Sequence, residues 1–285
     1  RAVFGGRAAN HKKHPGDGGV SIPSRGHLLA CAVAAVQAAG QHAVAHESRR
    51  MEAIKRTEHD VKLVLDHECQ AIAQGVILGA FPSHHFMGEE GGEAGDGSQP
   101  QWIVDPIDGT VNFSHGLPYW CHSVAVQVGG KTVAGAVYAP VLGKLYTASA
   151  DTPACCNELP IHVSETRELR DSLLLTGIER NFDQYPESTR VITAIVEKVQ
   201  KIRLLGAAAL DLCLVADGRA DGFFESGLNL WDIAAAAFIL ERSGGHTDVI
   251  ARLPNGRLRF IAANDRLFPP LREMLQAHPR WWSPG

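Results

Sequence analysis

The stretch Trp102-Ile103-Val104-Asp105-Pro106-Ile107-Asp108-Gly109-Thr110 places the strongest constraint on this chain. An apolar run ends in one carboxylate, a second follows three positions later, and a Gly-Thr step comes next. The tip of an apolar strand needs neither carboxylate for packing. From residue 102 the sequence reads in short strand-like runs, WIVD, HSVAVQV, TVAGAVYA and GKLYTAS, separated by Gly or Pro. That pattern predicts an antiparallel meander, with Gly129-Gly130 as the hairpin turn between the second and third runs.

The segments on either side have other periods. An Ala-rich stretch predicts a first helix over about 26–46. Residues 59–66, HDVKLVLD, alternate and stop at Asp66; Cys69, Ile72, Ala73, Val76, Ile77 and Ala80 then fall on helical spacing up to Pro82. Residues 85–101 are turn-rich and acidic and read as a loop. After about 150, strand-like LPIHV and SLLLTG precede a helix near 187–201, and KIRLL leads into a helix closed by Gly218. ADGFFES reads as a strand, WDIAAAAFILERSGG as a helix with a Gly-Gly stop, and RLRFIAA plus a helix from about 266 complete the chain. Three segments are expected: a disordered lead over 1–25, helices plus an antiparallel sheet over 26–150, and an alternating α/β part over 151–285 that closes a cleft against the second. The start at Arg1 is read as a fragment or processed product, with no signal peptide.

Composition narrows the function classes. With 285 residues, 27 basic and 31 acidic side chains and a net charge of −4, no electrostatic footprint for nucleic acid is present. The uninterrupted apolar part of 27–46 is too short to span a bilayer, so no membrane partner is expected. Six cysteines without C-x-x-C spacing suit free thiols of a reducing compartment, which points to the cytoplasm. VQVGGKT misses a phosphate-binding loop because Ala125 stands where glycine is needed and strand-like residues follow. His46-Glu47 and His67-Glu68 begin like H-E-x-x-H, but Arg50 and Ala71 occupy the second histidine positions. No G-x-S-x-G occurs.

Carboxylates remain, in three groups: Glu89-Glu90 after Gly88, Asp105 and Asp108 before Gly109-Thr110, and Asp232 after Trp231. Singly these read as loop charge, turn formers around Pro106 and a helix cap. Together they form a cluster that is unfavourable unless cations compensate it. Hard oxygen ligands without Cys or His point to Mg²⁺, with Mn²⁺ as a substitute. If a helical turn starts at Gly109-Thr110, its free N–H groups face an anion. Carboxylates holding metal, metal holding phosphate and amides holding the other phosphate oxygens form one arrangement.

At these residues the chain resembles the inositol monophosphatase family of Mg²⁺-dependent, lithium-sensitive phosphatases. The resemblance rests on GEE at 88–90, WIVDPIDGTVNF at 102–113, RLLGAAALDLCLVADGRADGFFE at 203–225 and GLNLWDIAAAAFILERSGG at 227–245, and it covers roughly 26–265. It implies an α+β fold, the layered α-β-α-β-α sandwich shared with fructose-1,6-bisphosphatase, commonly as a homodimer. It implies two or three Mg²⁺ ions, held by Glu89, Asp105, the Ile107 carbonyl, Asp108 and Asp232. It further implies phosphate on the Gly109 and Thr110 N–H groups, and Glu89 with the Thr110 hydroxyl orienting the attacking water. Asp66 would support that threonine and the site's waters, and Glu225 would bind substrate hydroxyls. Two departures stand out. The family's D-x-V-T-x-x-D is here Asp60 to Asp66 with Leu63 in place of threonine, and its G-[ST]-A-A is Gly206-Ala207-Ala208-Ala209, so Ala207 brings no hydroxyl to the substrate position. The implied reaction is hydrolysis of a small phosphate monoester, inositol monophosphate first. Another sugar phosphate, histidinol phosphate or a 3′-phosphonucleotide is the alternative substrate, and a non-catalytic regulatory protein on the same fold is the alternative of another class.

Overall fold

The fold comes from a computed structural model that describes residues 23–56, 61–92, 95–178 and 187–278. The expected lead over 1–25 lies almost wholly outside the described residues. Helix α1 (Arg25–Ala45) is followed by the hairpin β1 (Ala53–Arg56) and β2 (Val61–Leu63), then by α2 (Val64–Ala80). Strands β3 (His85–Gly88), β4 (Gly91–Gly92) and β5 (Gln101–Asp108) lead to the short helix α3 (Thr110–Ser114). Next come β6 (Cys121–Val128), β7 (Lys131–Ala139), β8 (Lys144–Ser149), β9 (Thr152–Cys156) and β10 (Leu159–Pro160). The second half contains β11 (Leu173–Thr176), α4 (Glu187–Val196), β12 (Lys201–Arg203), α5 (Ala208–Ala216), β13 (Gly222–Leu228) and α6 (Leu230–Arg242). It ends with β14 (Gly245–Arg252), β15 (Leu258–Asn264) and α7 (Phe268–Gln276).

Two sheets organise these elements. The first has the order β10-β9-β8-β7-β6-β5-β3-β4, the second β12-β11-β13-β15-β14. Alternation along the strands builds the layers. Trp102 and Val104 of β5 pack with Leu28, Ala32 and Val36 of α1 and Ile77 of α2, whereas Ile103 points the other way, toward α5 and α6. Phe223, Phe260 and Ala262 of the second sheet face the same middle helices, while Phe224, Ile261 and Ala263 face α4 and α7. The result is the α-β-α-β-α sandwich, in which both faces of both sheets are covered.

The middle layer depends on small side chains. Ala235 and Ala236 of α6 are fully buried, and a Cβ on Gly135 of β7 would stand 3.2 Å from the Ala235 Cα and carbonyl oxygen. Alanine on the helix facing glycine on the strand lets α6 approach the sheet closely, which holds the N-terminal end of α6 beside the tip of β5.

Several expectations need correction. Residues 85–101 are not all loop, because β3 pairs parallel to β5 and antiparallel to β4, which also makes the first sheet mixed. That sheet runs past 150 through β9 and β10. Asp66 does not end a strand but sits in the first turn of α2. Strand β14 had no counterpart in the sequence reading. Helix α1, at 21 residues, is long and apolar enough to cross a membrane by length and composition alone, although its uninterrupted apolar run is short; it lies against α2 and the first sheet, with Leu28, Ala32, Ala35, Val36 and Ala43 at zero exposure.

Gly135→Val would drive two methyl groups into the α6 backbone. It is expected to destabilise the protein by about 1–3 kcal/mol and to lower Tm by a few degrees in scanning calorimetry.

Candidate active site

The site is built at the carboxyl end of β5. Pairing with β6 shifts register there: Asp105 is opposite Ser123, but Asp108 is opposite Cys121, so β5 has one extra residue. Such a bulge bends its strand and re-aims side chains. Asp105 and Asp108 are buried at 2% and 8% exposure, so neither is a solvated turn former. The Asp108 carboxylate accepts the Ala208 N–H at 3.1 Å on Oδ1 and the Ala209 N–H at 2.7 Å on Oδ2, which docks the first turn of α5 onto β5. The Cys121 thiol approaches Oδ2 at 3.6 Å. Asp105 Oδ1 is buried without a hydrogen-bond partner among the described residues.

Two further carboxylates come from helix starts. Asp66 and Asp232 occupy the third position of α2 and α6, and each reaches back to the N–H before its helix: Leu63 N–H to Asp66 Oδ2 at 2.8 Å, Asn229 N–H to Asp232 Oδ2 at 2.7 Å. This is one half of a capping box, and it satisfies a donor the helix cannot. Asp66 Oδ1, like Asp105 Oδ1, is left buried without a partner among the described residues.

Glu89 stands in the β3–β4 turn, held from below by α2. The Gln70 carbonyl oxygen accepts the Glu90 N–H at 2.8 Å, and the Gln70 amide donates to the Gly91 carbonyl at 3.1 Å. Gly88 has no Cβ because the Gln70 amide fills that space. The Glu90 carboxylate turns to Lys62 Nζ and His67 Nε2, both at 2.9 Å. The acidic pair is thus divided: Glu90 is bound up in ion pairs, and Glu89 faces the carboxylates.

Proximity is visible in the acid–base behaviour. Burial, then the charges of Glu89, Asp108, Asp232 and Asp66, raise the Asp105 pKa well above the carboxylate range. Burial first, and neighbouring carboxylates after it, push Glu89 up to about 8. Burial likewise raises Asp66 to about 8 and Asp232 to about 7, with the N–H bonds from Leu63 and Asn229 pulling the other way. Asp108 rises only to about 6, because the α5 amides and the Cys121 thiol offset part of its desolvation. Asp66, Glu89, Asp105, Asp108 and Asp232 are therefore one electrostatic unit.

The remaining predicted residues surround this unit. Gly109 has φ +88°, and a Cβ there would lie 3.1 Å from both the Ala207 Cβ and the Tyr119 carbonyl, so glycine is required for conformation and for space. It precedes α3, whose first residue Thr110 donates its hydroxyl to the Ile107 carbonyl at 2.9 Å. Ala207 is 1% exposed and packs against Gly109, so it shapes the wall behind the turn. Glu225, on β13, lies against Gly177; burial, followed by the charge of Asp211, raises its pKa well above the usual value.

Two contacts went unnoticed in the sequence. The Tyr119 hydroxyl donates to Asp211 Oδ1 at 2.6 Å, and Asp211 is 1% exposed with its pKa raised by burial. The His122 ring nitrogen Nδ1 bonds to the Pro106 carbonyl, and burial lowers the His122 pKa to about 4, so the ring is neutral. The only signal for His122 was a ring that can hydrogen-bond inside a mostly apolar strand.

Among the described residues no three His, Cys, Asp or Glu side chains form a ready-made metal cage. Mg²⁺ does not need one: it keeps several waters and takes a few carboxylates plus substrate phosphate oxygens. The donors here are all oxygen, and Asp66 Oδ1 and Asp105 Oδ1 are buried acceptors without a hydrogen-bond partner among the described residues. The residues present fit a hard divalent cation.

Comparison with known proteins identifies the family. The family described as "Inositol monophosphatase family" matches residues 25–276. Human inositol monophosphatase 1 is 37% identical over 225 residues, covering 75% of this chain and 80% of the human protein. Nus factor SuhB of Haemophilus influenzae is 38% identical over 225 residues, covering 76% of this chain and 83% of that protein. Among solved structures, the inositol monophosphatase of Anabaena superposes with a TM-score of 0.79 at 29% identity, covering 89% of this chain and 97% of that one. The suhB protein of Bartonella henselae superposes with a TM-score of 0.80 at 31% identity, covering 87% and 98%. Fold, carboxylates and relatives converge: the chain belongs to the inositol monophosphatase family.

Proposed function

We propose that the protein hydrolyses a small phosphate monoester, inositol monophosphate in the first instance, in a Mg²⁺-dependent reaction. The observation that carries this reading is the buried unit of Asp66, Glu89, Asp105, Asp108 and Asp232, whose burial raises the pKa of every member. Such a unit is costly unless cations occupy it. Glu89, Asp105, Asp108, Asp232 and the Ile107 carbonyl are the groups that would hold the ions. Bound Mg²⁺ would supply an acidified water and neutralise charge on the phosphoryl group and the leaving oxygen.

The chain's own groups do the rest. Gly109 and Thr110 N–H groups at the start of α3 face the phosphate oxygens. Glu89 accepts a proton from the attacking water, and the Thr110 hydroxyl orients that water. Asp66, anchored by the Leu63 N–H, fixes the water network beside them. Glu225 accepts hydrogen bonds from substrate hydroxyls; with Ala207 supplying no hydroxyl, it is the main polyol-reading group from the second sheet.

A second reading has one observation in its favour: several relatives carry the name "Nus factor SuhB", including that of Pseudomonas aeruginosa, 33% identical over 264 residues. On this reading the chain is a regulatory protein that does not turn over substrate. Retention of every carboxylate of the cluster favours the enzyme, since a regulator has no use for buried charges that repel one another.

Phosphate release from a panel of sugar, inositol, histidinol and nucleoside 3′-phosphates with Mg²⁺ separates the two readings. Turnover of inositol monophosphate with the highest kcat/KM is expected, and a folded protein that releases no phosphate from any member refutes the enzyme reading. Asp105→Asn is expected to lower kcat/KM by more than about a hundredfold, the upper loss seen even for groups that only support metal ligands. Its circular dichroism should be unchanged.

The raised carboxylate pKa values set a pH dependence. In the unfolded chain these groups ionise near pH 4, whereas folded they hold protons up to about 6 for Asp108 and about 8 for Asp66 and Glu89. The folded protein binds more protons across that window, so metal-free stability falls as pH rises from about 4 to 8. Mg²⁺ needs the ionised forms. Metal binding at pH 7 is expected to release protons, read as buffer-dependent binding enthalpy in calorimetry, and Mg²⁺ affinity should rise between pH 6 and 8.

A further inference from the structure

We propose that His122 is a positioning residue for the metal-binding turn: its ring N–H holds the Pro106 carbonyl and so fixes the aim of Asp105, the Ile107 carbonyl and Asp108. The proposal rests on the metal reading above and extends it to a side chain that touches neither ion nor substrate.

The bulge creates the need. Between Asp105 and Asp108 strand β5 advances three residues while β6 advances two, from Ser123 to Cys121. Pro106 and Ile107 both lie opposite His122, and regular ladder pairing lapses there. The Pro106 carbonyl is buried, and a buried carbonyl without a donor is destabilising. The His122 side chain supplies the donor through Nδ1. Since a carbonyl only accepts, the proton is on Nδ1. Thr110 Oγ1 grips the next carbonyl, that of Ile107, at 2.9 Å. Two successive carbonyls of the turn are therefore pinned by two side chains, one from β6 and one from α3.

The surroundings keep the ring in place. His122 is 1% exposed and stands edge-on to Trp120 with ring centroids 5.5 Å apart. Helix α1 passes over it at Gly40, where a Cβ would lie 3.3 Å from His122 Cδ2 and 2.7 Å from Tyr138 Cδ1. The second ring nitrogen, Nε2, is buried and has no hydrogen-bond partner among the described residues. A histidine serving as general core filler would be replaced at no loss by an apolar residue. This one keeps an unsatisfied nitrogen, which is a cost, and its one hydrogen bond among the described residues is directed at the turn. Residues that orient metal ligands in this way affect metal affinity strongly.

Two amide variants separate the ring nitrogens. His122→Asn places an amide where Nδ1 is; His122→Gln places it where Nε2 is. Mn²⁺ binding to the full chain, followed by electron paramagnetic resonance of the free ion, gives Kd without reference to activity, and circular dichroism checks folding. His122→Asn is expected within about threefold of wild type and His122→Gln about 10- to 100-fold weaker. If His122→Gln does not fold, His122→Thr, too short to reach the carbonyl, is read in its place with the same expected loss. Wild-type affinity in His122→Gln, or equal weakening in both amide variants, overturns the positioning role while leaving the metal reading intact. A wild-type protein that binds no Mn²⁺ overturns the metal reading and this inference with it.

Discussion

Five carboxylates share one water-poor corner, and the protein's architecture is the means of keeping them there. Their mutual repulsion and desolvation are each unfavourable. Helix starts provide the partial compensation. Asp108 accepts amides from the first turn of α5, and Asp66 and Asp232 accept the N–H groups that open α2 and α6. Each carboxylate takes a donor the helix would otherwise leave unsatisfied and lies at the positive end of its dipole. Burial still outweighs these bonds, since it is the largest influence on every member. What remains is a site short of positive charge, which suits it to divalent cations and an anionic substrate together.

The Asp108 bonds also join the halves of the molecule. Asp108 links β5 to residues 100 positions later, and the Asn112 amide adds bonds to the Tyr119 carbonyl at 2.8 Å and the Leu205 carbonyl at 2.7 Å. The middle layer can deliver α5 and α6 to this point because alanine and glycine line the contact between α6 and the first sheet. Packing and the proposed cation site are thus coupled at Asp108: removing its charge would loosen the α5 docking as well.

Much of this was legible in the sequence, unevenly. The Ala-rich α1, the Gly-Gly stop after α6, the 129–130 hairpin and the carboxylate set follow from local period and local chemistry. The misses have physical reasons. Strands β3 and β4 are four and two residues long, too short to carry a period; β3 is identified by its parallel pairing with β5, and β4 by its antiparallel pairing with β3. Strand β14 is an edge strand in which only Gly245 and Ala251 are buried, so it carries little apolar signal. Asp66 looked like a strand end because Val61–Leu63 runs straight into α2 with no turn between them. His122 was one histidine among fourteen, and nothing local marks the one that meets a strand bulge.

The sequence by itself determined which carboxylates exist, their order along the chain, and the glycine and threonine that must follow Asp108, because those depend on residue type and spacing of a few positions. Tertiary structure decided which oxygens are free to meet a cation. Asp108 is shared with amides about 100 residues away, Asp66 and Asp105 each keep an oxygen without a partner among the described residues, Glu90 is withdrawn to Lys62 and His67 while Glu89 stays in the cluster, and the Pro106 carbonyl is held by a histidine on the neighbouring strand. Those outcomes depend on layers meeting and registers slipping, which no local pattern encodes.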